Sequence, residues 1–359
     1  MFDVRIYDGQ GNPVLEIRSY AVRFNSAVTY WRPDWIDASA DPAPAVCTVL
    51  LTGNADAAEK LSGPVIVVTP ADRFADLAQY RYTVNPYDPA TYRALFADLG
   101  RRGLRPERVV HHWKLDHPTK AFLASAQGID SDIELVAILD ATAQSSAVAG
   151  AARTLALESG KIRPRVIWAA DLPDFTSGND VEVRYTNGRR QIRAFERLNP
   201  DRPASSLLRE GGVYLITGAT GGIGRHIADY LIRTVRAKVA LVSRSSPHIA
   251  EDVSTREGAR RAVERTIREF GALHGVIHCA GVTRDAFVIR KDLATVDEVF
   301  GPKADAAVYL DEATRDLSLD FFLLGSSTAS VFGNPGQSDY AAANRFLDAF
   351  AQWRQTARP

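Results

Sequence analysis

The spacing richest in chemistry lies in the last third of the chain. An apolar run, Asp320 to Leu324, leads into Gly325-Ser326-Ser327, and a loop holding Gly333, Pro335 and Gly336 then reaches Tyr340-Ala341-Ala342-Ala343-Asn344. Ser327 precedes Tyr340 by 13 positions, and Tyr340 and Asn344 are four apart. On a helix that spacing sets a phenol, which can give or take a proton, beside a carboxamide on one face. A Ser and Tyr pair alone is a frequent coincidence, so its meaning depends on what surrounds it.

A second constellation supplies that context. The buried strand expected at Val213 to Thr217 runs into Gly218-Ala219-Thr220-Gly221-Gly222-Ile223-Gly224, and Arg225 to Arg233 then has helical periodicity. Gly218, Gly221 and Gly224 allow a tight turn, close approach of backbone to a pyrophosphate, and close packing of helix on sheet. The helix N-terminus offers the phosphates free N–H groups and the positive end of its dipole. Strand, glycine turn and helix in this order predict dinucleotide binding. The next strand, Lys238 to Val242, ends in Ser243-Arg244. A carboxylate at that rim suits the ribose of NAD, whereas arginine suits a 2′-phosphate, so the expected cofactor is NADPH.

The rest of the chain must position these groups. Its 359 residues suffice for about two domains of roughly 150 residues. From Cys47 onward, short apolar strands (Cys47 to Leu51, Val65 to Val68, Val109 to Trp113, Glu134 to Leu139) alternate with helical patterns near Pro89 to Gly103 and Ala143 to Leu157. Alternation of this kind predicts a doubly wound parallel sheet. Val166 to Ala169 and Asp180 to Phe195 add late strands, the latter around Thr186-Asn187-Gly188. No glycine-rich phosphate loop follows these strands, so this first α/β unit reads as structural. Upstream, Phe2 to Tyr7 and Val14 to Val22 read as two strands around Asp8-Gly9-Gln10-Gly11-Asn12, with a domain boundary near residue 25.

Lys plus Arg and Asp plus Glu both number 43, so no electrostatic footprint for nucleic acid or an anionic membrane is present. No basic stretch followed by an apolar one opens the chain, and no 18-residue apolar run occurs in it. The two cysteines, Cys47 and Cys279, are far apart and give no metal-ligand spacing. A cytoplasmic protein with small-molecule or protein partners is the expectation.

With the glycine loop and His278-Cys279-Ala280-Gly281 at the end of an intervening strand, the Ser327 and Tyr340 pair resembles the short-chain dehydrogenase/reductase superfamily. Most members carry lysine four residues after the tyrosine, where this chain has Asn344. Ketoreductase domains of polyketide synthases exchange the lysine and asparagine positions, and Phe321 to Asp348 resembles theirs almost throughout. Their lysine comes from an upstream helix, matching Lys303 in Gly301-Pro302-Lys303-Ala304-Asp305. The family also carries a truncated, cofactor-free α/β subdomain, similar to residues 30–200 here. Residues 2–24 look like the last strands of a polyketide dehydratase domain, an order that leans toward assembly lines with a free-standing acyltransferase. The resemblance thus implies two Rossmann-like subdomains: dehydratase-like tail strands over 1–25, a structural subdomain over 26–205 and a catalytic one over 206–359.

The same resemblance implies roles. Hydride delivered to a ketone leaves negative charge on its oxygen, to be met by donors. Ser327 would donate a hydrogen bond there, Tyr340 would protonate it, and Asn344 would hold the adjoining network. A phenol near its ordinary pKa of about 10 is a sluggish acid at neutral pH, and the Lys303 ammonium would lower that value. Gly218, Thr220, Gly221, Gly222, Ile223, Gly224, Ser243, Arg244, Asp252, Val253, Ala280 and Gly281 would line the cofactor. Only seven residues, Ser245 to Glu251, separate Arg244 from Asp252, where the family places a helix and a third strand, so that unit is expected to be missing. The family also continues past the tyrosine helix into a further strand and a lid, which implies a shortened domain ending at Pro359. Asp285 and Pro335 match members that form the D-configured alcohol, and Phe332 stands where L-forming members carry tryptophan. Asp339 replaces the asparagine usual in the D-type loop. The substrate implied is a β-ketoacyl chain on an acyl carrier protein, with neighbouring synthase domains, a dehydratase among them, as partners. The alternatives are a free-standing reductase of small ketones and a non-catalytic module with a vestigial site.

Overall fold

The computed structural model describes residues 4–7, 13–17, 30–175, 178–198 and 207–358. Contacts divide the chain into a small unit, Met1–Ile36 with Arg193–Ala204, and a large one, Asp37–Ile192 with Ser205–Pro359. In the small unit β1 (Val4–Tyr7) pairs antiparallel with β2 (Pro13–Ile17), as the alternating pattern predicts. The glycine-rich loop between them and the segment around residue 25 lie outside the described residues. A third strand, β3 (Tyr30–Asp37), carries Trp35, and the Arg193 guanidinium lies 4.7 Å from the centre of its ring.

The large unit opens with β4 (Thr48–Thr52), β5 (Val65–Pro70), β6 (Ala75–Asp76) and β7 (Arg81–Val84). Helix α1 (Pro89–Arg101), β8 (Arg108–His112), α2 (Pro118–Gly128), β9 (Ile133–Leu139) and α3 (Ala143–Glu158) follow, then β10 (Ile162–Trp168), β11 (Glu182–Thr186) and the start of β12 (Arg189–Leu198), a strand whose residues from Arg193 on belong to the small unit. Their order is β12-β11-β10-β9-β8-β4-β5-β7-β6. Among the described pairings of these strands, β11 with β12 and β6 with β7 run antiparallel and the others parallel. Asn187 and Gly188, both at positive φ, close the β11–β12 hairpin in the conformation that suits the right-handed strand twist.

The second sheet follows in the same unit. It is built from β13 (Val213–Thr217), α4 (Gly222–Val235), β14 (Lys238–Ser243), β15 (Ile249–Ala250), α5 (Arg256–Phe270) and β16 (Gly275–His278). Helix α6 (Thr295–Phe300), a π-helical turn (Gly301–Asp305), α7 (Ala306–Ala313), β17 (Phe321–Leu324), α8 (Ala329–Phe332) and α9 (Ser338–Ala357) complete it. All strands are parallel, in the order β15-β14-β13-β16-β17. The order reverses between β13 and β16, and such a switch point is where doubly wound sheets bind their ligands. Two Rossmann-like α/β halves, the fold class expected, are therefore present.

The expectation of a missing third strand needs correction. A strand does follow Arg244, although only two residues long: Ile249 and Ala250 pair in parallel with Val242 and Ser243 at the very end of β14. Because the pairing touches only the tip of β14, the chain need not cross back over the sheet, and the five residues 244–248 suffice. Ser246 Oγ donates to Leu241 O at 2.8 Å and His248 Nδ1 accepts from Leu241 N at 3.3 Å, closing that short link. What the segment lacks is the crossover helix.

The two α/β halves share one apolar core, in which Ala147, Ala151 and Leu155 of α3 join Ala342, Phe346 and Leu347 of α9. The helices approach so closely that a Cβ on Gly150 would lie 2.4 Å from the Ala341 carbonyl oxygen. Buried Glu182 on β11 adds an ionic tie, accepting from Arg345 of α9 at 2.8 Å and Arg153 of α3 at 3.1 Å.

Candidate active site

The glycine turn sits at the switch point. Gly218 has φ +69°, and a Cβ there would lie 2.7 Å from Ala280 N, so only glycine lets this turn lie against the loop after β16. A Cβ on Gly224 would lie 2.9 Å from Gly218 O, which is the tight helix-to-strand packing the third glycine of such a loop provides. No side chain caps α4, whose N-cap is Gly221, and nothing lies within 4 Å of where a Gly222 Cβ would be. An uncapped helix start beside an open glycine fits a pyrophosphate. Thr220 and Ile223 are exposed on the same turn.

The groups expected at the adenine end are spread along β14 and its continuation. Ser243 Oγ is buried and has no protein hydrogen-bond partner, and exposed Arg244 has no salt bridge among the described residues. An orphaned hydroxyl beside an unpaired guanidinium fits a 2′-phosphate. Asp252 instead serves its own turn, its Oδ1 accepting from Ser254 N at 3.0 Å and Ser254 Oγ at 2.6 Å, and the Val253 side chain is buried in the core beside α5.

The catalytic lysine of the sequence reading is deeply placed. Lys303, in the π-helical turn, is only 4% exposed, and its Nζ donates to Gly325 O at 2.9 Å. The same Nζ lies 5.2 Å from the centre of the Tyr340 ring. Burial pulls its pKa down from 10.5 to about 8. Gly281 is what admits the stem, because a Cβ there would lie 2.8 Å from Lys303 Cε. Lys303 and Tyr340, 37 positions apart, are thus brought together with the end of β17.

A network that sequence reasoning missed holds that turn. His278 Nε2 lies 3.0 Å from Lys303 O, and Nδ1 lies 2.7 Å from Thr217 Oγ1. Burial lowers the His278 pKa to about 4, so the imidazole is neutral at pH 7. A carbonyl only accepts, which puts the proton on Nε2 and leaves Nδ1 to accept from the Thr217 hydroxyl. Thr217 Oγ1 in turn accepts from Ala280 N at 3.3 Å. A histidine ending one buried strand, in register with a threonine ending its neighbour, is the signal that could have disclosed it.

Ser327 is half-buried before α8, its Oγ accepting from Ala329 N at 3.2 Å, which leaves the hydroxyl proton free to donate elsewhere. Asn344 is fully buried; its Nδ2 donates to Tyr340 O at 2.7 Å, while Oδ1 has no protein donor. Asp339 Oδ1 accepts from Tyr340 N at 2.8 Å, and its other oxygen lies 3.0 Å from the equally buried Lys291 ammonium, a pair no sequence pattern announced. Asp285 is drawn to the start of α9, both its oxygens accepting from Gln337 Nε2 at 3.1 Å. Pro335 is exposed on the loop before α9, and Phe332, at the end of α8, is 55% exposed. Among the described residues no group of His, Cys, Asp and Glu could hold a metal ion, and no helix is long and apolar enough to cross a membrane.

A glycine turn, a buried lysine and a tyrosine gathered at one switch point fit a nicotinamide-dependent reductase. The family model described as KR domain matches residues 212–358, the stretch that holds all of these groups. These residues, under half of the chain, are similar to the KR domain family. Ketoreductase domains of this family are oxidoreductases that bind a nicotinamide cofactor. Polyketide synthase ThaG of Burkholderia thailandensis is 42% identical over 195 residues, 48% of this chain and 4% of that protein. Polyketide synthase PksM of Bacillus subtilis is 25% identical over 339 residues, 81% of this chain and 8% of that protein. The chain therefore spans under a tenth of the length of either synthase.

A crystal structure of an N-terminal ketoreductase from the macrolactin assembly line aligns with 92% of this chain and 81% of its own, with a TM-score of 0.77 and 23% identity. A ketoreductase domain from the bacillaene assembly line aligns over the same shares with a TM-score of 0.63 and 22% identity. These likenesses concern fold. A further model, described as Beta-ketoacyl synthase-like, N-terminal, matches residues 52–142, within the first α/β half. Coverage of 92% leaves too few residues outside the ketoreductase alignment to omit that stretch, so its fold too is one found in ketoreductases.

Proposed function

We propose that this chain reduces the β-ketone of an acyl thioester carried on an acyl carrier protein, using NADPH, and forms the D-configured alcohol. The observation that carries the reading is the buried Lys303 ammonium facing the Tyr340 ring beside the glycine turn. When bound, NADPH supplies the hydride and its electron pair to the carbonyl carbon. Gly218, Thr220, Gly221, Gly222, Ile223 and Gly224 hold its pyrophosphate, Ser243 and Arg244 its 2′-phosphate, and Ala280 and Gly281 border its path toward Tyr340. Asp252 and Val253 flank the adenine end, through groups their turn leaves free.

The substrate oxygen lies between Ser327 and Tyr340. Ser327 donates its free hydroxyl proton as a hydrogen bond, and Tyr340 transfers its phenolic proton to that oxygen as negative charge develops. The Lys303 ammonium supports the charge left on the phenol oxygen, and Asn344, with its unpaired Oδ1, orders the adjoining network. Asp285, Phe332 and Pro335 border the approach of the thioester arm and present one face of the ketone. The working context is a polyketide synthase in the cytoplasm, with a dehydratase among the neighbouring domains. The test is turnover of a β-ketoacyl thioester with NADPH, followed by chiral chromatography. A D-3-hydroxyacyl product is expected. No turnover would refute the reductase reading, and a predominantly L product would refute the assignment of Asp285 and Pro335.

A further inference from the structure

Glu158 ends α3, in the half of the fold that has no phosphate loop. A carboxylate there is disfavoured, since the C-terminal end of a helix carries the negative end of its dipole. Its placement is explained by what it binds. One oxygen accepts from Gly336 N at 2.7 Å and the other from Val288 N at 2.5 Å. Both amides belong to the other half, on separate loops, and both residues are buried.

On the reading proposed above, those loops border the approach of the thioester arm. The first carries Asp285 and the second carries Pro335, and they are joined to each other by Ala286 N donating to Gly336 O at 2.9 Å and by Gln337 bonding Asp285. Each is gripped again from the structural half. Gln127 of α2 donates to Val288 O at 2.7 Å and Lys291 O at 2.6 Å. The second loop lies so close on α3 that a Cβ on Gly333 would be 2.7 Å from the Arg153 carbonyl carbon, and Asn334 N reaches Thr154 Oγ1 at 3.3 Å.

We propose that Glu158 is a positioning residue for the thioester substrate: its carboxylate fixes the spacing of the Asp285 and Pro335 loops, so that the cofactor-free half helps set which face of the ketone is reduced. The proposal rests on the reductase reading above. Glu158→Gln tests it at almost constant volume, because an amide has one acceptor where two N–H groups point, and its NH2 opposes one of them. Hydrogen exchange at the Val288 and Gly336 amides is expected to quicken by about tenfold or more, the scale of one charge-assisted hydrogen bond. KM for the thioester should rise about tenfold and the minor enantiomer should grow severalfold, with KM for NADPH unchanged.

Unchanged exchange overturns the clamp. Faster exchange with unchanged thioester KM and enantiomer ratio overturns its role in selecting the face. Should Glu158→Gln not fold, Gln127→Leu, which loosens the Asp285 loop from its other anchor, decides by the same three readouts. Exchange is independent of turnover, and loss of reduction in Tyr340→Phe is measured alongside, so failure of the reductase reading is told apart from failure of the clamp.

Discussion

Replacing Lys303 with methionine is expected to destroy reduction while leaving the fold at least as stable. Burial holds this ammonium's pKa at about 8 against 10.5 for free lysine. At about 1.4 kcal/mol per pH unit, that difference is about 3 kcal/mol by which the fold disfavours the charge. Methionine fills a similar volume without it. Losing the hydrogen bond to Gly325 O costs about 1–3 kcal/mol in return, so the variant at pH 7 should match the parent or exceed it by up to about 2 kcal/mol. The pH dependence isolates the charge. Between pH 8 and 10.5 the unfolded lysine holds its proton while the folded one has lost it, so parental stability rises with pH and the parent should gain about 3 kcal/mol on the variant across that window. Below pH 8 the difference should stay level. Urea melts at several pH values measure this, and single-turnover kinetics at pH 7 should show reduction slowed by about 10²-fold or more. A variant several kcal/mol less stable at pH 7, or one that reduces at the parental rate, would refute the reasoning.

Two further outcomes follow from the cofactor side. Gly218→Ala places a Cβ 2.7 Å from Ala280 N at a φ of +69°, so it should cost on the order of 3 kcal/mol in a thermal melt and abolish NADPH binding in fluorescence titration; near-parental values in both would refute the turn's role. Arg244→Ala should lower the ratio of kcat/KM for NADPH over NADH by about tenfold or more, since only NADPH carries the 2′-phosphate; an unchanged ratio would remove Arg244 from the cofactor site.

Much of this was legible in the sequence because it is written in short, local signals. The glycine turn follows a buried strand and opens a helix within a dozen residues, and Tyr340 and Asn344 are fixed to one face by helical spacing alone. Helix α2 was not legible, because Ala121 to Ala126 are all buried and a helix buried all round shows no apolar stripe. The two-residue β15 was hidden by its length. The long-range ties were hidden for another reason. Glu158 with Gly336, Lys291 with Asp339, and His278 with Lys303 each join residues from different elements, and single charged or polar side chains carry no period that marks their partners. Lys303 was found only through resemblance; its burial and its distance from Tyr340 come from a π-helical turn with no compositional mark.

The most direct test of the account is transfer of deuterium from NADPH labelled at the hydride position to a β-ketoacyl thioester, in the parent and in Tyr340→Phe. The parent should place deuterium on C3 of a D-3-hydroxyacyl product. Tyr340→Phe should bind NADPH with nearly the parental Kd and transfer none, since the phenol acts on the substrate oxygen and the glycine turn holds the phosphates. Transfer at an undiminished rate in that variant would show that the proton comes from elsewhere and that the site built around Tyr340, Ser327 and Lys303 is not where the ketone is reduced.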